Sequence, residues 1–236
     1  VLYIRRSGGS ISKIAAMKNA VGNFIDQVTA NATGDPATNE DDVTHRIGIV
    51  KFSGNESDQI GNDTYRSDGN TYNYSQVVQD LTSVTGNVQS LKNTVNELAA
   101  AGSTRTDFGL NQAQRVLDGD RQHGLGGARE EAKQVVVVFT DGEPSTFSNW
   151  SGGVAANAVN LAKDLKDDKV TVYTIGMFED ADPSDTDGRF NKYMNGVSSN
   201  YPNAEVTNWR GDRTQDWDDC KLGTRVTEGN YYFAAD

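Results

Sequence analysis

The chain has 236 residues, 36% of them hydrophobic, which is long enough for one large domain with a full core. Its formal net charge of -11 argues against binding to nucleic acid or to an anionic membrane, and suits a surface protein or one that holds cations. No apolar run approaches the roughly 18 residues of a membrane span. No signal peptide is visible, and the single cysteine, Cys220, excludes an internal disulfide.

The N-terminal third of the chain alternates between strand and helix patterns. A short buried strand is predicted at 1–4, a helix at 12–28 with Ser10 or Ser12 as its N-cap, and a second strand at 45–53. The helix has an apolar face at helical spacing, formed by Ile14, Val21, Phe24, Ile25 and Val28.

Two further helices are predicted in the middle of the chain, after a polar stretch. Residues 54–76 are rich in Gly, Asn, Ser and Tyr and indicate a long surface insertion, and 77–84 indicates an edge strand or a short turn. The apolar positions that mark the two helices are Val88, Leu91, Val95 and Leu98 for the first, and Leu110, Ala113, Val116 and Leu117 for the second.

The run Gln134-Val-Val-Val-Val-Phe-Thr-Asp-Gly-Glu-Pro144 organises the chain. Its unbroken apolar core predicts a central strand of a parallel sheet, covered on both faces. The strand stops at Asp141-Gly142, and ligands of open α/β sheets lie beyond the carboxyl ends of the strands. Asp141 is therefore either a functional carboxylate or simply the start of a turn.

The C-terminal part repeats the alternation. A helix is predicted at 154–165, a parallel strand at 170–176, a second long insertion at 177–229 with a helix near 190–197, and a last strand at 230–233. We expect a doubly wound α/β fold with a mostly parallel central sheet, as one domain over 1–236 with insertions at about 54–76 and 177–229. The start of the first strand and a final helix are expected to be missing.

Three loops are expected to converge at the carboxyl end of this sheet. They are the 7–10 loop with Ser7 and Ser10, the 102–106 loop with Thr104, and the turn with Asp141. Hydroxyl and carboxylate oxygens are the ligands that a hard cation such as Mg²⁺ prefers. An incompletely liganded cation at this place can take a carboxylate from a partner protein.

These residues resemble the metal-ion-dependent adhesion site (MIDAS) of von Willebrand factor A (VWA) domains. The family pattern is Asp-x-Ser-x-Ser after the first strand, a threonine in a Gly-x-Thr-x-Thr-like loop and an aspartate in a strand-end Thr-Asp-Gly; Ser7, Thr104 and Asp141 match it. The segments at 12–28 and 191–203 are similar to VWA domains of Gram-positive surface proteins, especially pilus tip adhesins. The resemblance implies Mg²⁺, or Mn²⁺ or Ca²⁺, as the cofactor.

The first motif departs from this pattern, because Arg5 stands where the family has aspartate and Gly9 where it has the second serine. A unit charge about 5 Å from a divalent ion is repelled by about 6 kcal/mol at an effective dielectric of roughly 20. Three explanations stay open: a metal-free site in which Arg5 pairs with Asp141, a loop of which part lies outside this sequence, or a weak cation held by Ser7, Thr104 and Asp141.

Other signals lie in the insertions. The first insertion carries Tyr65, Tyr72 and Tyr74. Tyrosines are typical of binding surfaces, but they also pack loops onto a domain. The second insertion carries an acidic patch with Trp209 and Trp217. Arg210-Gly211-Asp212 spells a tripeptide that many integrins recognise, although such matches also arise by chance in inert loops.

We predict an adhesion module rather than an enzyme, because no nucleophile triad, P-loop, HExxH or CxxC motif occurs. The resemblance implies an extracellular module of a Gram-positive cell wall or pilus. Its partners would be a host or matrix protein and other pilin or surface-protein domains. The alternatives are a metal-free structural module of a pilus or surface protein and, more weakly, an intracellular VWA protein that partners an ATPase.

Overall fold

The computed structural model describes residues 3–6, 9–34, 43–59, 61–147 and 149–235. Helices and strands alternate along this part of the chain, which confirms the predicted α/β class. The α-helices are α1 (Lys13–Ala30), α2 (Val88–Glu97), α3 (Thr106–Asp118), α4 (Gly152–Asp167) and α5 (Arg189–Val197). The strands are β1 (Tyr3–Arg6), β2 (Gly9–Ser12), β3 (Arg46–Lys51), β4 (Asn55–Glu56), β5 (Thr64–Ser67), β6 (Asn70–Ser83), β7 (Val135–Thr140), β8 (Ser145–Thr146), β9 (Asn149–Trp150), β10 (Thr171–Gly176), β11 (Glu205–Val206), β12 (Cys220–Lys221) and β13 (Tyr232–Ala234).

The largest core lies between a parallel sheet and helices α3, α4 and α5. The sheet has the order β13-β10-β7, and all of its pairs are parallel. The inner face of α4 consists mainly of small residues, including Ala155, Ala158 and Ala162, each 0% exposed. Small side chains let the helix lie close to the sheet, so that Tyr193 of α5 and Tyr232 of β13 fill the remaining space.

The apolar run at 135–140 forms a parallel strand as predicted, but it is not the central one in the described sheet. β7 pairs with β10 along its whole length, and no other described strand pairs with it. Only Val138 and Thr140 are buried in this strand, and Val135 is 42% exposed. The expectation of burial on both faces is therefore wrong for the start of the strand, where the Val135 side chain is exposed.

A second sheet contains β3, β6, β4 and β5 and corrects the prediction for 54–84. Residues 70–83 form one long strand, β6, where the sequence indicated an insertion followed by an edge strand or a turn. β5 folds back on β6 through Asp68 and Gly69, with φ of 50° and 77°. An Asp-Gly pair with positive φ at both positions is the preferred two-residue hairpin turn. The Asp68-Gly69 pair is thus the signal in the sequence that indicates this hairpin.

The N-terminal segment forms a hairpin in place of the predicted strand at 1–4. β1 and β2 pair antiparallel, with Arg5 opposite Ser10, and neither pairs with another described strand. Ser12 caps α1 as expected, because its Oγ accepts from the Ala15 N–H at 3.3 Å. Within the predicted apolar face of α1, Ile25 is fully buried but Phe24 is 43% exposed. The helix packs on α2 with a narrower face than its sequence pattern indicates.

The second insertion is a folded part of the large core. Val206 of β11 and Cys220 of β12 pair antiparallel and lie in the cluster around α4. The Asn160 amide of α4 accepts from the Val206 N–H at 2.9 Å and donates to the Val206 carbonyl at 3.1 Å. The Lys166 ammonium donates to three carbonyls at the end of α5 and beyond it, those of Gly196, Ser198 and Tyr201.

Candidate functional site

The Thr104 loop and the Asp141 turn meet at the carboxyl end of β7. The Thr104 N–H donates to the Ser145 Oγ at 3.0 Å, and the Ser145 N–H donates to the Thr104 carbonyl at 3.1 Å. A Cβ placed on Gly142 would lie 3.2 Å from the Thr104 Oγ1. Glycine at 142 therefore lets the two loops approach, and the structure brings Thr104 next to the Asp141 turn as the sequence analysis expected.

Asp141 is exposed, and no hydrogen bond to its carboxylate occurs within the described part of the chain. Its backbone carbonyl is 3.4 Å from the Nζ of Lys13, the first residue of α1. An ammonium group therefore stands beside the turn where the resemblance implies a cation. Sequence reasoning did not find Lys13, since nothing in its local pattern indicates a long-range contact.

The first motif is only partly described. Ser7 lies outside the described residues, and for Arg5 and Ser10 the description is confined to the backbone of the β1–β2 hairpin. The pairing of Arg5 with Asp141 is therefore not tested. Whether Ser7 or Ser10 reaches the Asp141 turn also stays a prediction.

The described donor set is weak for a divalent cation. Thr104 and Asp141 supply one hydroxyl and one carboxylate, and no group of three His, Cys, Asp or Glu side chains that could hold a metal occurs among the described residues. Mg²⁺ uses oxygen ligands in octahedral geometry and keeps several waters, but the nearby Lys13 ammonium repels it. These residues alone do not fit a tightly bound cation.

The neighbouring carboxylate, Glu143, is used inside the protein. The Arg189 Nη2 donates to both oxygens of Glu143, at 2.9 and 2.7 Å, and the guanidinium carbon lies 4.6 Å from the centre of the Trp150 ring. Trp150 packs edge-on against Trp217, with ring centres 5.4 Å apart. Trp217, a predicted ligand contact, is thus half-buried in a structural cluster that ties the second insertion to the Asp141 turn.

The three predicted tyrosines form one group with Phe147, and Tyr72 of this group lies against Gly102 of the Thr104 loop. We name Tyr65, Tyr72, Tyr74 and Phe147 the aromatic cluster. Tyr65 lies 5.6 Å from Tyr72 and 4.9 Å from Tyr74 between ring centres, and Tyr72 contacts Phe147 edge-on at 6.1 Å. Burial, first, and then the neighbouring Tyr72 raise the pKa of the Tyr65 hydroxyl above its ordinary value.

Phe147 is the exposed member of the aromatic cluster. Its φ is 60°, which is rare for a bulky residue, and it is 57% exposed. Its N–H donates to the Ser103 Oγ at 2.9 Å, which fixes the residue to the loop that carries Thr104. Strained backbone of this kind clusters at binding sites. The only signal in the sequence is one aromatic residue within the polar stretch Ser145-Thr-Phe-Ser-Asn149.

The remaining predicted contact, Trp209, is separate from this site. It is 83% exposed and lies in the turn that contains Arg210-Gly211-Asp212. The site at the sheet end therefore unites Thr104, Asp141 and the aromatic cluster, with Trp217 as support. No helix among the described residues is long and apolar enough to cross a membrane.

Comparisons with known proteins agree with this fold. The family model described as von Willebrand factor type A domain matches residues 6–210. The pilus adhesin SpaC from Lactobacillus rhamnosus GG is 16% identical with a TM-score of 0.52, over 95% of this chain and 26% of the SpaC chain. Proximal thread matrix protein 1 from the mussel byssus, with a zinc-occupied MIDAS motif, is 17% identical with a TM-score of 0.43, over 78% of this chain and 36% of that one. No curated protein matches. This chain spans well under half of both structural relatives, and at these identities the likeness concerns the fold.

Proposed function

We propose that this chain, which belongs to the von Willebrand factor type A domain family, is an adhesion module that binds a host or extracellular-matrix protein. The binding surface is the sheet end formed by Thr104, Asp141 and the aromatic cluster. The fold likeness to a pilus adhesin supports a place on a cell surface or pilus. A Gram-positive cell wall is part of the same proposal.

The observation that carries the proposal is the exposed Phe147. An aromatic side chain that is 57% exposed, held at positive φ and fixed by Ser103, has no role in the core. Aromatic side chains are enriched in protein interfaces and bury a large area at low conformational cost. The buried Tyr72 packs edge-on against this ring and keeps it in place before binding, which lowers the entropy cost of association.

The acidic character of the chain favours a ligand with basic residues. The net charge is -11, and Asp141 presents an exposed carboxylate in a turn that contacts the Thr104 loop, the same loop to which Phe147 is bonded. A basic side chain of the ligand can pair with Asp141 while apolar groups contact Phe147. This mode of binding needs no bridging metal, which agrees with the weak donor set of the described residues.

The test is adhesion of the whole 236-residue chain to immobilised collagen, fibronectin, fibrinogen and laminin. Phe147→Ala should reduce binding to the recognised protein about tenfold or more, as for an interface hot spot. The matched control is Phe24→Ala, which removes a phenylalanine that is 43% exposed on α1 and should leave binding unchanged. Equal binding by wild type and Phe147→Ala would contradict the proposal.

A metal-free structural module is the second candidate. The observation that favours it is the Lys13 ammonium at the Asp141 carbonyl, which occupies space beside the one described carboxylate of the site. Under this function the chain would hold other domains of a surface protein in place. It would then show no adhesion to any of the four matrix proteins.

A further inference from the structure

The 209–212 turn, with the sequence Trp-Arg-Gly-Asp, is an ordered and fully exposed loop tip. The Asn208 Oδ1 accepts from the Arg210 N–H at 2.8 Å and from the Asp212 N–H at 3.1 Å. The Asn208 N–H donates to the Asp212 carbonyl at 2.9 Å, and the Gly211 N–H donates to the Asn208 carbonyl at 3.0 Å. Gly211 has a φ of 86°, a conformation that favours glycine. One asparagine side chain thus sets the shape of the turn.

The base of the turn is anchored to the core. Thr207 and Arg213 form an antiparallel bridge, and Thr207 is 5% exposed. The Arg213 guanidinium makes a two-pronged ion pair with Asp164 of α4, with Nη1 2.9 Å from Oδ2. A rigid tip loses little conformational entropy when a partner binds it.

The side chains of the 209–212 turn are displayed without internal partners that neutralise them. Trp209 is 83% exposed, the highest value among the exposed large hydrophobic side chains of the described chain. The Arg210 guanidinium carbon lies 4.5 Å from the centre of the Trp209 ring. No salt bridge involves Arg210 or Asp212 within the described residues, and the nearest contact of the Asp212 carboxylate is the Asn208 amide at 3.4 Å. The tip therefore presents a positively charged guanidinium, a negatively charged carboxylate and an aromatic ring together.

We propose that the 209–212 turn is a second protein-docking site, for a receptor pocket that holds a divalent cation beside an acidic side chain. The Asp212 carboxylate is the oxygen ligand that such a cation lacks. The Arg210 guanidinium pairs with the receptor's acidic side chain, and Gly211 separates the two charged residues within the turn. Receptors of the integrin class that recognise Arg-Gly-Asp peptides have this chemistry. Trp209 adds apolar contact area at the edge of the pocket.

This docking site is distinct from the sheet-end surface. Positions 152 and 153, in the first turn of α4, lie against Trp217 and Gln215, whereas Arg213 pairs with Asp164 in the last turn. Residues 153 and 164 are separated by roughly 16 Å along the helix. Arg213, at the base of the 209–212 turn, therefore contacts the opposite end of α4 from Trp217, and the two surfaces can be tested separately.

The experiment measures binding of the whole chain to an immobilised integrin ectodomain selected for affinity to Arg-Gly-Asp peptides, in Mn²⁺ and again in EDTA. We expect binding in Mn²⁺, loss in EDTA and competition by a free Arg-Gly-Asp peptide. Asp212→Glu and Arg210→Ala should each weaken binding by about 30-fold or more. Trp209→Ala should weaken it about tenfold.

Controls separate this proposal from the proposed function and from unfolding. Asp218→Glu makes the same change at another exposed residue of the second insertion and should bind as wild type. Phe147→Ala and Asp141→Ala should also bind the ectodomain normally. All variants should keep the thermal midpoint of wild type, because the altered side chains are exposed.

Three results would overturn the docking site. The first is no binding to the ectodomain in Mn²⁺. The second is binding that persists in EDTA or with Asp212→Glu. The third is attachment to phosphatidylserine vesicles that depends on Trp209 and Arg210 but not on Asp212, which would identify a membrane-surface contact instead.

Discussion

Lys166 shows how burial changes the chemistry of a single side chain. Its ammonium lies beneath the end of α5, where three carbonyl oxygens accept from it. Burial, and secondarily the nearby Lys163, nevertheless lower the pKa of Lys166 from 10.5 to about 7. The unfolded chain has no such burial and keeps the ordinary pKa. Between these two values the unfolded state therefore binds more protons than the folded state.

We predict that the free energy of unfolding contributed by this residue rises with pH between about 7 and 10.5. The free-energy penalty of the buried charge is fully present below the lowered pKa and is relieved as Lys166 loses its proton. The free energy of unfolding then rises by at most about 1.4 kcal/mol per pH unit. Urea unfolding of wild type and Lys166→Met at several pH values measures it, since Met keeps most of the stem but cannot titrate. Lys133→Met, at an exposed lysine outside α4, is the control. Parallel pH profiles for wild type and Lys166→Met would refute the prediction.

Cys220 shows the effect of burial on a thiol, where the neutral form is again favoured. It is 6% exposed within the core around α4. Burial raises the pKa of the thiol to about 11, so the reactive thiolate is scarce at neutral pH. The lone cysteine thus acts as a small apolar core residue, which the sequence alone left undecided.

At the scale of elements, the aromatic cluster depends on the β5–β6 hairpin, which brings its tyrosines together. It pairs Tyr65 with Tyr72 across the two strands. Its register is set by the two-residue turn at Asp68 and Gly69, because a one-residue slip would move every side chain to the other face. The conformation of Gly69 is therefore linked to the binding surface.

We predict opposite effects for the same substitution at two glycines. A Cβ on Gly69 or on Gly22 meets no atom within 4 Å, so packing changes at neither site. Gly69→Ala should lower the free energy of unfolding by about 1 kcal/mol, since φ is 77° there. Gly22→Ala, inside α1, should raise it by up to about 1 kcal/mol. Urea unfolding gives both values, and a stabilising Gly69→Ala would show that the turn is not held as described.

At the scale of the whole molecule, the overall charge is not enough to create a cation site at the sheet end. A net charge of -11 attracts cations weakly everywhere, but a site needs several oxygen ligands at one place. The described residues offer the Asp141 carboxylate and the Thr104 hydroxyl there, next to the Lys13 ammonium.

We predict that titration of Mg²⁺ or Mn²⁺ into the metal-stripped chain gives no measurable heat at millimolar metal. Removal of metal with EDTA should likewise leave the thermal midpoint unchanged, since a ligand stabilises the folded state only in proportion to its binding. Asp141→Ala and the control Asp168→Ala, at the end of α4, should behave alike. Heat that Asp141→Ala abolishes and Asp168→Ala keeps would establish a metal site and restore metal-bridged adhesion.

Local patterns in the sequence determined most of the elements of this protein. The apolar run before Asp141 predicted β7, and the spacing of Leu91 and Val95 predicted α2, because the period of apolar residues follows directly from backbone geometry. The apolar run into Thr140-Asp141-Gly142 indicated the family, since it is a short-range pattern at the end of a strand. These features depend on residues that are close in sequence.

The tertiary structure alone decided how distant segments meet. Lys13 reaches the Asp141 turn across 128 positions, and Phe147 is joined to Ser103 across 44. It also decided that Trp217 supports the core while Trp209 is displayed, although both lie in one insertion. A side chain's exposure depends on which elements pack over it, and that is set by long-range contacts that no local pattern encodes.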